Sequence, residues 1–239
     1  MVDIPESLLA IDIETASPFQ SPHEGGFDNT DCFELVAVGL GYQSAPGAPV
    51  ESTVLFRSGG WDDTWTAALL RDVVHWCASF NADGVLTYNG TQFDVIHLTN
   101  WADSLSQKGY ITDTRDAIHQ LFSSHIDLNT LAVQKYHDQI ESWRSAIKLE
   151  QVCEWEDIPV IETKYSDYAI GSLRQDPAID AEIVTNVHIG AILGEAFINS
   201  LESGTDQATE ESELKRLLYD YTIADIEPLF TLARNFSSA

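Results

Sequence analysis

The sequence is short of positive charge. Lysine and arginine together number 12 against 38 aspartates and glutamates, a formal net charge of −26 at pH 7. The acids are scattered along the chain rather than gathered in one tail, so the surface repels itself in dilute buffer. Salt relieves that repulsion, because the Debye length falls to ~3 Å at 1 M ionic strength. The pattern points to a protein adapted to a salty cytoplasm; the other reading is an acidic face made for a basic partner. Taken alone, the charge argues against nucleic acid as a ligand. An acidic cluster that holds metal ions overcomes this, since bound cations attract phosphate whatever the net charge.

Other absences narrow the field. No apolar run reaches the ~20 residues of a membrane helix. The N-terminal MVDIPESLLAIDIE has no basic start and carries acids within its apolar stretch. It reads as a buried strand and not a signal peptide, and the expected compartment is the cytoplasm. Cys32, Cys77 and Cys153 are widely spaced, with no CxxC pair. They imply neither a zinc site nor a disulfide framework, and read as buried small apolar side chains. There is no Gly-rich phosphate loop and no G-x-S-x-G. The seven histidines form no metal-spaced pair and read as structural or solvated; His125, beside a strand end, is the one that stands out.

What is present is a chain of 239 residues, 44% hydrophobic, enough for one good core. Strands are expected at residues 8–15, 35–42 and 52–56, the last two joined as a hairpin by Ala45-Pro46-Gly47-Ala48-Pro49. Residues 16–32 read as loop. Residues 62–79 carry helical periodicity, with acids at the start where the helix dipole favours them. A short strand at 84–88 leads through Asn89-Gly90 to a helix near Phe93. A short strand at 126–128 leads to a helix reaching about His137. Further helices are expected at 145–156, from about Ala178 to Leu201, and from about Ser212 to Asn235, with Pro228 kinking the last or starting a new turn. Residues 202–211 read as an exposed turn. Strands first, then strands alternating with helices, then helices alone predict a mixed sheet with helices on its faces, in a single domain spanning 1–239.

Three short patterns carry chemistry. In Ile11-Asp12-Ile13-Glu14-Thr15, two carboxylates at i and i+2 point to one side of a strand. Crowding them at the end of an apolar strand is costly unless a cation neutralises them; alone, the pair reads equally as a solvated strand end. In Tyr88-Asn89-Gly90-Thr91-Gln92-Phe93-Asp94 a strand runs into a glycine turn and a helix start, which presents polar groups at the strand's carboxyl end. Asp94 could also simply cap the helix. In Tyr221-Thr222-Ile223-Ala224-Asp225, residues four apart share one helix face, so Tyr221 and Asp225 reach the same point. Alone, they read as a half-buried tyrosine and a surface acid.

Together and in this order, the three patterns resemble the motifs of the DEDD 3′–5′ exonucleases. The tyrosine is similar to that of the DEDDy branch, found in the exonuclease domain of family B DNA polymerases and in related stand-alone proteins. His125-Ile126-Asp127-Leu128 and Lys148-Leu149-Glu150-Gln151-Val152 also sit where such proteins have a similar strand end and helix. Position 220 is Asp, so the histidine variant of the third motif is absent, and no polymerase domain is expected after Ala239. The resemblance implies a ribonuclease-H-like α/β fold with a mixed five-stranded sheet. It implies Asp12, Glu14, Asp94 and Asp225 as ligands of two Mg²⁺ or Mn²⁺ ions, with Tyr221 orienting the attacking water. Glu14 would lie near the terminal 3′ hydroxyl, and Thr15, Asn89 and Phe93 would line the bound strand end. The implied activity is metal-dependent hydrolysis of single-stranded DNA or RNA from a 3′ end. The alternative is a catalytically silent module of the same fold that binds nucleic acid or protein. The six tryptophans, including Trp61, Trp65, Trp76 and Trp143, read as core or helix packing; for Trp143 with Arg144 the other reading is contact with a base and a phosphate.

Overall fold

The computed structural model describes residues 3–141, 143–171, 173–177, 179, 181–203 and 208–237. Five strands form one sheet: β1 (Leu8–Ala16), β2 (Glu34–Gln43), β3 (Glu51–Phe56), β4 (Gly84–Thr87) and β5 (His125–Asp127). Their order is β3-β2-β1-β4-β5. β2 runs antiparallel to both β1 and β3, while β4 is parallel to β1 and β5 parallel to β4. The sheet is therefore mixed, as the element order implies.

The helices are α1 (Pro22–Gly25), α2 (Asp63–Cys77), α3 (Asp94–Gln107), α4 (Asp113–Leu121), α5 (Leu128–Lys135), α6 (Leu149–Trp155), α7 (Asn186–His188), α8 (Gly194–Ser203) and α9 (Ala208–Ser237), with a π-helical turn at Ile189–Leu193 between α7 and α8. The strict alternation of β1 divides them. Leu9, Ile11 and Ile13 pack with Leu70 and Val73 of α2, Leu98 of α3 and Ile118 of α4. Leu8 and Ala10 pack on the other face with Ala132 of α5, Val152 of α6 and Ile226 and Phe230 of α9. Each such leucine or isoleucine, fully buried, contributes roughly 1.5–3 kcal/mol. Asp12 and Glu14 continue the series of Leu8 and Ala10, so they point to the face that α9 covers.

Two glycines let α9 come close to that face. In β2, Gly39 stands opposite Asp12 and Gly41 opposite Ala10. A Cβ on Gly39 would lie 2.5 Å from Thr222 Cγ2, and one on Gly41 would lie 2.8 Å from both Ile226 and Phe230. The helix backbone thus approaches the sheet over a strip without side chains.

Three expectations need correction. The helix expected from residue 178 begins only at Asn186, where the Thr185 side chain accepts the His188 N–H. Before it, the β-branched Ile183 and Val184 take an extended course: Ile183 bridges Lys164, and Val184 donates to the Thr163 carbonyl. Residues 178 and 180 lie outside the described residues, as do 204–207 of the turn expected at 202–211. The rest of that turn is helical, 202–203 ending α8 and 208–211 opening α9, with Glu210 and Glu211 in the first turn where the helix dipole favours them. Residues 145–148 are not helical, because side chains claim their main chain: Ile147 N–H donates to Asn129 Oδ1, and the Tyr88 hydroxyl donates to the Ile147 carbonyl. Helix α9 continues through Pro228, so no new helix starts there. Helix α4 has no counterpart in the sequence reading. No helix among the described residues is long and apolar enough to cross a membrane.

Gly41→Ala should destabilise the protein by about 1–3 kcal/mol through overpacking against Ile226 and Phe230. Gly171→Ala, where an added Cβ meets nothing within 4 Å, should stay within about 0.5 kcal/mol of wild type. Urea unfolding of the two variants beside wild type measures both.

Candidate active site

β1 outruns its neighbour. It pairs with β4 only from Leu8 to Ala10, so its last residues lack a parallel partner on that side. A main-chain donor left without a ladder partner must find another acceptor. For Ile13 that acceptor is Asp94, the first residue of α3, whose Oδ1 lies 3.0 Å from the Ile13 nitrogen. The carboxylate of the second motif is thereby fastened to the strand that carries the first.

The third motif arrives from the opposite face of the sheet. The Thr222 hydroxyl lies 3.2 Å from Glu14 Oε1 and 2.8 Å from the Leu218 carbonyl, and it has one proton to share between them. Tyr221 and Asp225 flank it on α9. Carboxylate oxygens of Asp12, Glu14 and Asp225 lie within 4.8 Å of one another. Glu14 and Asp94 are buried, while Asp12, Asp225 and Tyr221 are half-buried. Oxygen donors at this spacing suit a hard divalent cation.

The electrostatics follow from that crowding. Burial pushes the Asp12 carboxyl well above the usual range, and the charges of Glu14, Asp94 and Asp225 add to it. Glu14 is raised by burial and by Asp225, against the opposing hydrogen bond from Thr222. Asp94 is pushed up to about 7 by burial, although hydrogen bonds from its own N–H and from Ile13 act the other way. Asp225 is also pushed up to about 7, by burial first and then by the charges of Glu150 and Asp94. Burial, then Asp225, Glu14 and Asp12, hold the Tyr221 phenol far above its ordinary value, so it stays an O–H at neutral pH.

The turn before α3 is held by the acid of the strand end His125-Ile126-Asp127-Leu128, to which the sequence assigned no role of its own. Asp127, at the end of β5, accepts the N–H groups of Asn89 and Thr91, each at 2.9 Å, and caps α5 through the Asn129 N–H. Its signal in the sequence is weak: an aspartate between a short apolar run and a helix start. Asn89 takes a left-handed conformation, φ 63°, which asparagine tolerates better than most residues. Gly90 is required by space, since a Cβ there would sit 2.2 Å from Thr87 Oγ1. That hydroxyl lies 2.7 Å from His125 Nε2, so His125 is committed to the scaffold.

Phe93 is half-buried, edge-on to Phe33 and His97. His97 is fully buried between the Thr30 hydroxyl (2.8 Å) and the Phe27 carbonyl (3.0 Å), tying the loop after β1 to α3. Thr15 follows a bulge in β1 and is only 6% exposed, so what it can offer is main chain. All three cysteines are free and buried. Trp61, Trp65 and Trp76 are half-buried, but Trp143 is 75% exposed and belongs to no core. The packing role read for Trp143 is therefore wrong: the chain that follows it is bound to Asn129 through Ser145 and Ile147, and the ring stays outside.

No protein-family description and no curated protein matches the sequence. Among solved structures, the family B DNA polymerase from the hyperthermophilic archaeon Pyrobaculum calidifontis matches 98% of this chain at 18% identity and a TM-score of 0.54. The match covers 25% of that polymerase, so the chain spans about a quarter of its length. Exonuclease I matches 65% of this chain and 36% of its own, at 15% identity and a TM-score of 0.43. A zinc-ion-bound complex of E. coli exonuclease I with single-stranded DNA matches the same shares at 13% identity and a TM-score of 0.39. With the polymerase match and the strand order above, the chain has the ribonuclease-H-like α/β fold.

A carboxyl whose value is raised on folding gives stability that is present below its unfolded value and lost as pH rises through the folded one. For Asp225 that window runs from the ordinary 3.8 to about 7. In chelator, Asp225→Asn should therefore melt higher than wild type at pH 8, by about 2–4 °C for each kcal/mol of repulsion removed, and alike at pH 4. Equal melting temperatures at pH 8 would show that the cluster is not under strain.

Proposed function

We propose that this chain is a 3′–5′ exonuclease, a single ribonuclease-H-like domain that hydrolyses the terminal phosphodiester of single-stranded DNA or RNA with two divalent ions, Mg²⁺ or Mn²⁺, in the cytoplasm. The observation that carries the reading is the meeting of Asp12, Glu14 and Asp225 oxygens within 4.8 Å, beside Tyr221 and with Asp94 bonded to the same strand. The donor set fits the ions: every ligand atom is a carboxylate oxygen, and the repulsion within the cluster is the kind that a cation removes.

Asp12, Glu14, Asp94 and Asp225 would hold the metal. Bound there, divalent cations supply the positive charge that draws in a phosphodiester and that lowers the pKa of an attacking water. The protein's own residues do the rest. Tyr221, kept protonated, orients that water through its hydroxyl. Glu14, steadied by Thr222, receives the 3′ hydroxyl of the departing nucleotide. Asn89 and Phe93 line the strand end, Phe93 offering a ring edge beside the sugar and base, and Thr15 contributes through its main chain. Metal at the cluster also answers the objection from net charge, because the substrate then meets a local positive field inside a −26 protein.

With Mn²⁺ and a 5′-labelled single-stranded oligonucleotide, the wild type should give a ladder shortening from the 3′ end, in low or in multimolar KCl. Asp12→Ala should reduce it to background. Tyr221→Phe should slow cleavage while leaving metal-induced thermal stabilisation intact, because the phenol is not a ligand. Cleavage of a circular single strand, which offers no end, would instead make the protein an endonuclease. Absence of any cleavage, with no shift in melting temperature on adding Mn²⁺, would sink the reading.

A further inference from the structure

A protein with so few cations must place them with care if it is to hold a polyanion. Several are already spent. Arg57 is 1% exposed and bonded to Glu34, Thr66 and three main-chain carbonyls. Lys108, Arg115, Lys135 and Arg216 are each paired with carboxylates at 2.8 Å or less. The stretch from Trp143 to Lys148 differs. Trp143 is 75% exposed, Arg144 lies over its ring at 5.9 Å, and both Arg144 and Lys148 are exposed. Among the described residues, Arg144 has one distant carboxylate partner, Glu141 at 4.0 Å. Lys148 has no carboxylate within ion-pairing distance among the described residues.

The stretch is anchored beside the cluster by two separate sets of contacts. Asn129 donates through Nδ2 to the Ser145 carbonyl and to Asn89 Oδ1, both at 3.2 Å, and accepts the Ile147 N–H at 3.0 Å. Tyr88, next to Asn89, donates to the Ile147 carbonyl at 2.7 Å. Immediately beyond Lys148, Glu150 is close enough for its charge to be felt by Asp225 and by Tyr221. The main chain between an exposed indole and two exposed cations is therefore held, through Ser145 and Ile147, by the turn that carries Asn89.

We infer that Trp143, Arg144 and Lys148 form a track for the single-stranded nucleic acid upstream of the terminal nucleotide, the indole stacking on a base and the two cations meeting phosphates. This rests on the exonuclease reading for its substrate, but not for its test. Stacking on an aromatic ring accepts any base, and backbone contacts accept any sequence, so the track fits an enzyme that shortens strands of arbitrary sequence. It lies outside the reacting centre and binds; it takes no part in bond breaking.

Binding is measured by fluorescence anisotropy of a labelled decanucleotide, in Ca²⁺, on a background carrying Asp12→Ala so that no cleavage intervenes. Trp143→Ala should weaken it by about 5- to 150-fold, and Trp143→Phe should restore part of the loss. Arg144→Gln and Lys148→Gln should each lower the slope of log affinity against log salt by about 0.7. In the active protein, the same variants should raise KM for the decanucleotide and leave dinucleotide hydrolysis unchanged, with unaltered melting temperatures. Wild-type binding by all of these variants overturns the track, and a 3′ ladder from the same variants with Asp12 restored would leave the exonuclease reading standing. Trp143-dependent binding without any cleavage supports the track and sinks the enzyme. A protein that neither binds nor cuts overturns both.

Discussion

Carboxylates crowded at the end of one strand repel, and most of the architecture around β1 exists to hold them there. Asp12 and Glu14 are forced to one side of the sheet by the two-residue period of the strand. Asp94 is brought to the same strand by a main-chain donor that β4 is too short to satisfy. Asp225 comes last in sequence and from the other side, on a helix that reaches the sheet only because Gly39 and Gly41 carry no side chains. Each contact gives an acid a fixed place without giving it a counter-charge. Thr222 bonds Glu14 through a hydroxyl, and Ile13 bonds Asp94 through an amide. Folding thus leaves a deficit of positive charge that is local, and a cation can remove it.

The second fastener is Asp127. By accepting Asn89, Thr91 and Asn129 together it locks the strand-to-helix turn in a left-handed conformation and caps the next helix. Asn129 then reaches onward to the stretch after α5. One carboxylate and one amide therefore connect the floor of the site to its wall. Neither side chain needs to touch substrate for this to matter, because a turn placed an ångström away would move Asn89, Phe93 and Asp94 together.

The strong negative charge looks different once the cations are placed. Where Arg57, Lys135 and Arg216 brace the fold through close partners, Arg144 and Lys148 stay exposed on a stretch whose main chain is fastened to Asn129 and Tyr88. On the proposed reading, a molecule that repels polyanions over most of its surface would admit them only where cations and metal meet them. Salt widens that tolerance by shortening the range of the repulsion while contacts at the site persist.

The sequence by itself determined most of the local elements and which carboxylates could act together. The alternation Leu8-Leu9-Ala10-Ile11-Asp12-Ile13-Glu14 can only be a strand with its acids on one face. The i, i+4 spacing of Tyr221 and Asp225 can only bring them together on a helix. Most strand bounds were legible to within a residue, because burial on two faces leaves little freedom. What tertiary structure alone decided were the places where distant side chains overrule local preference. Residues 145–148 forgo helix because Asn129 and Tyr88 take their main-chain groups, and Trp143 is left outside as a result. Residues 182–184 extend because they pair with 163–165. The approach of α9 depends on two glycines in β2 that look, in the sequence, like ordinary strand punctuation. No local pattern records a partner more than a hundred residues away, and the distance from Glu14 to Asp225 is set by such partners.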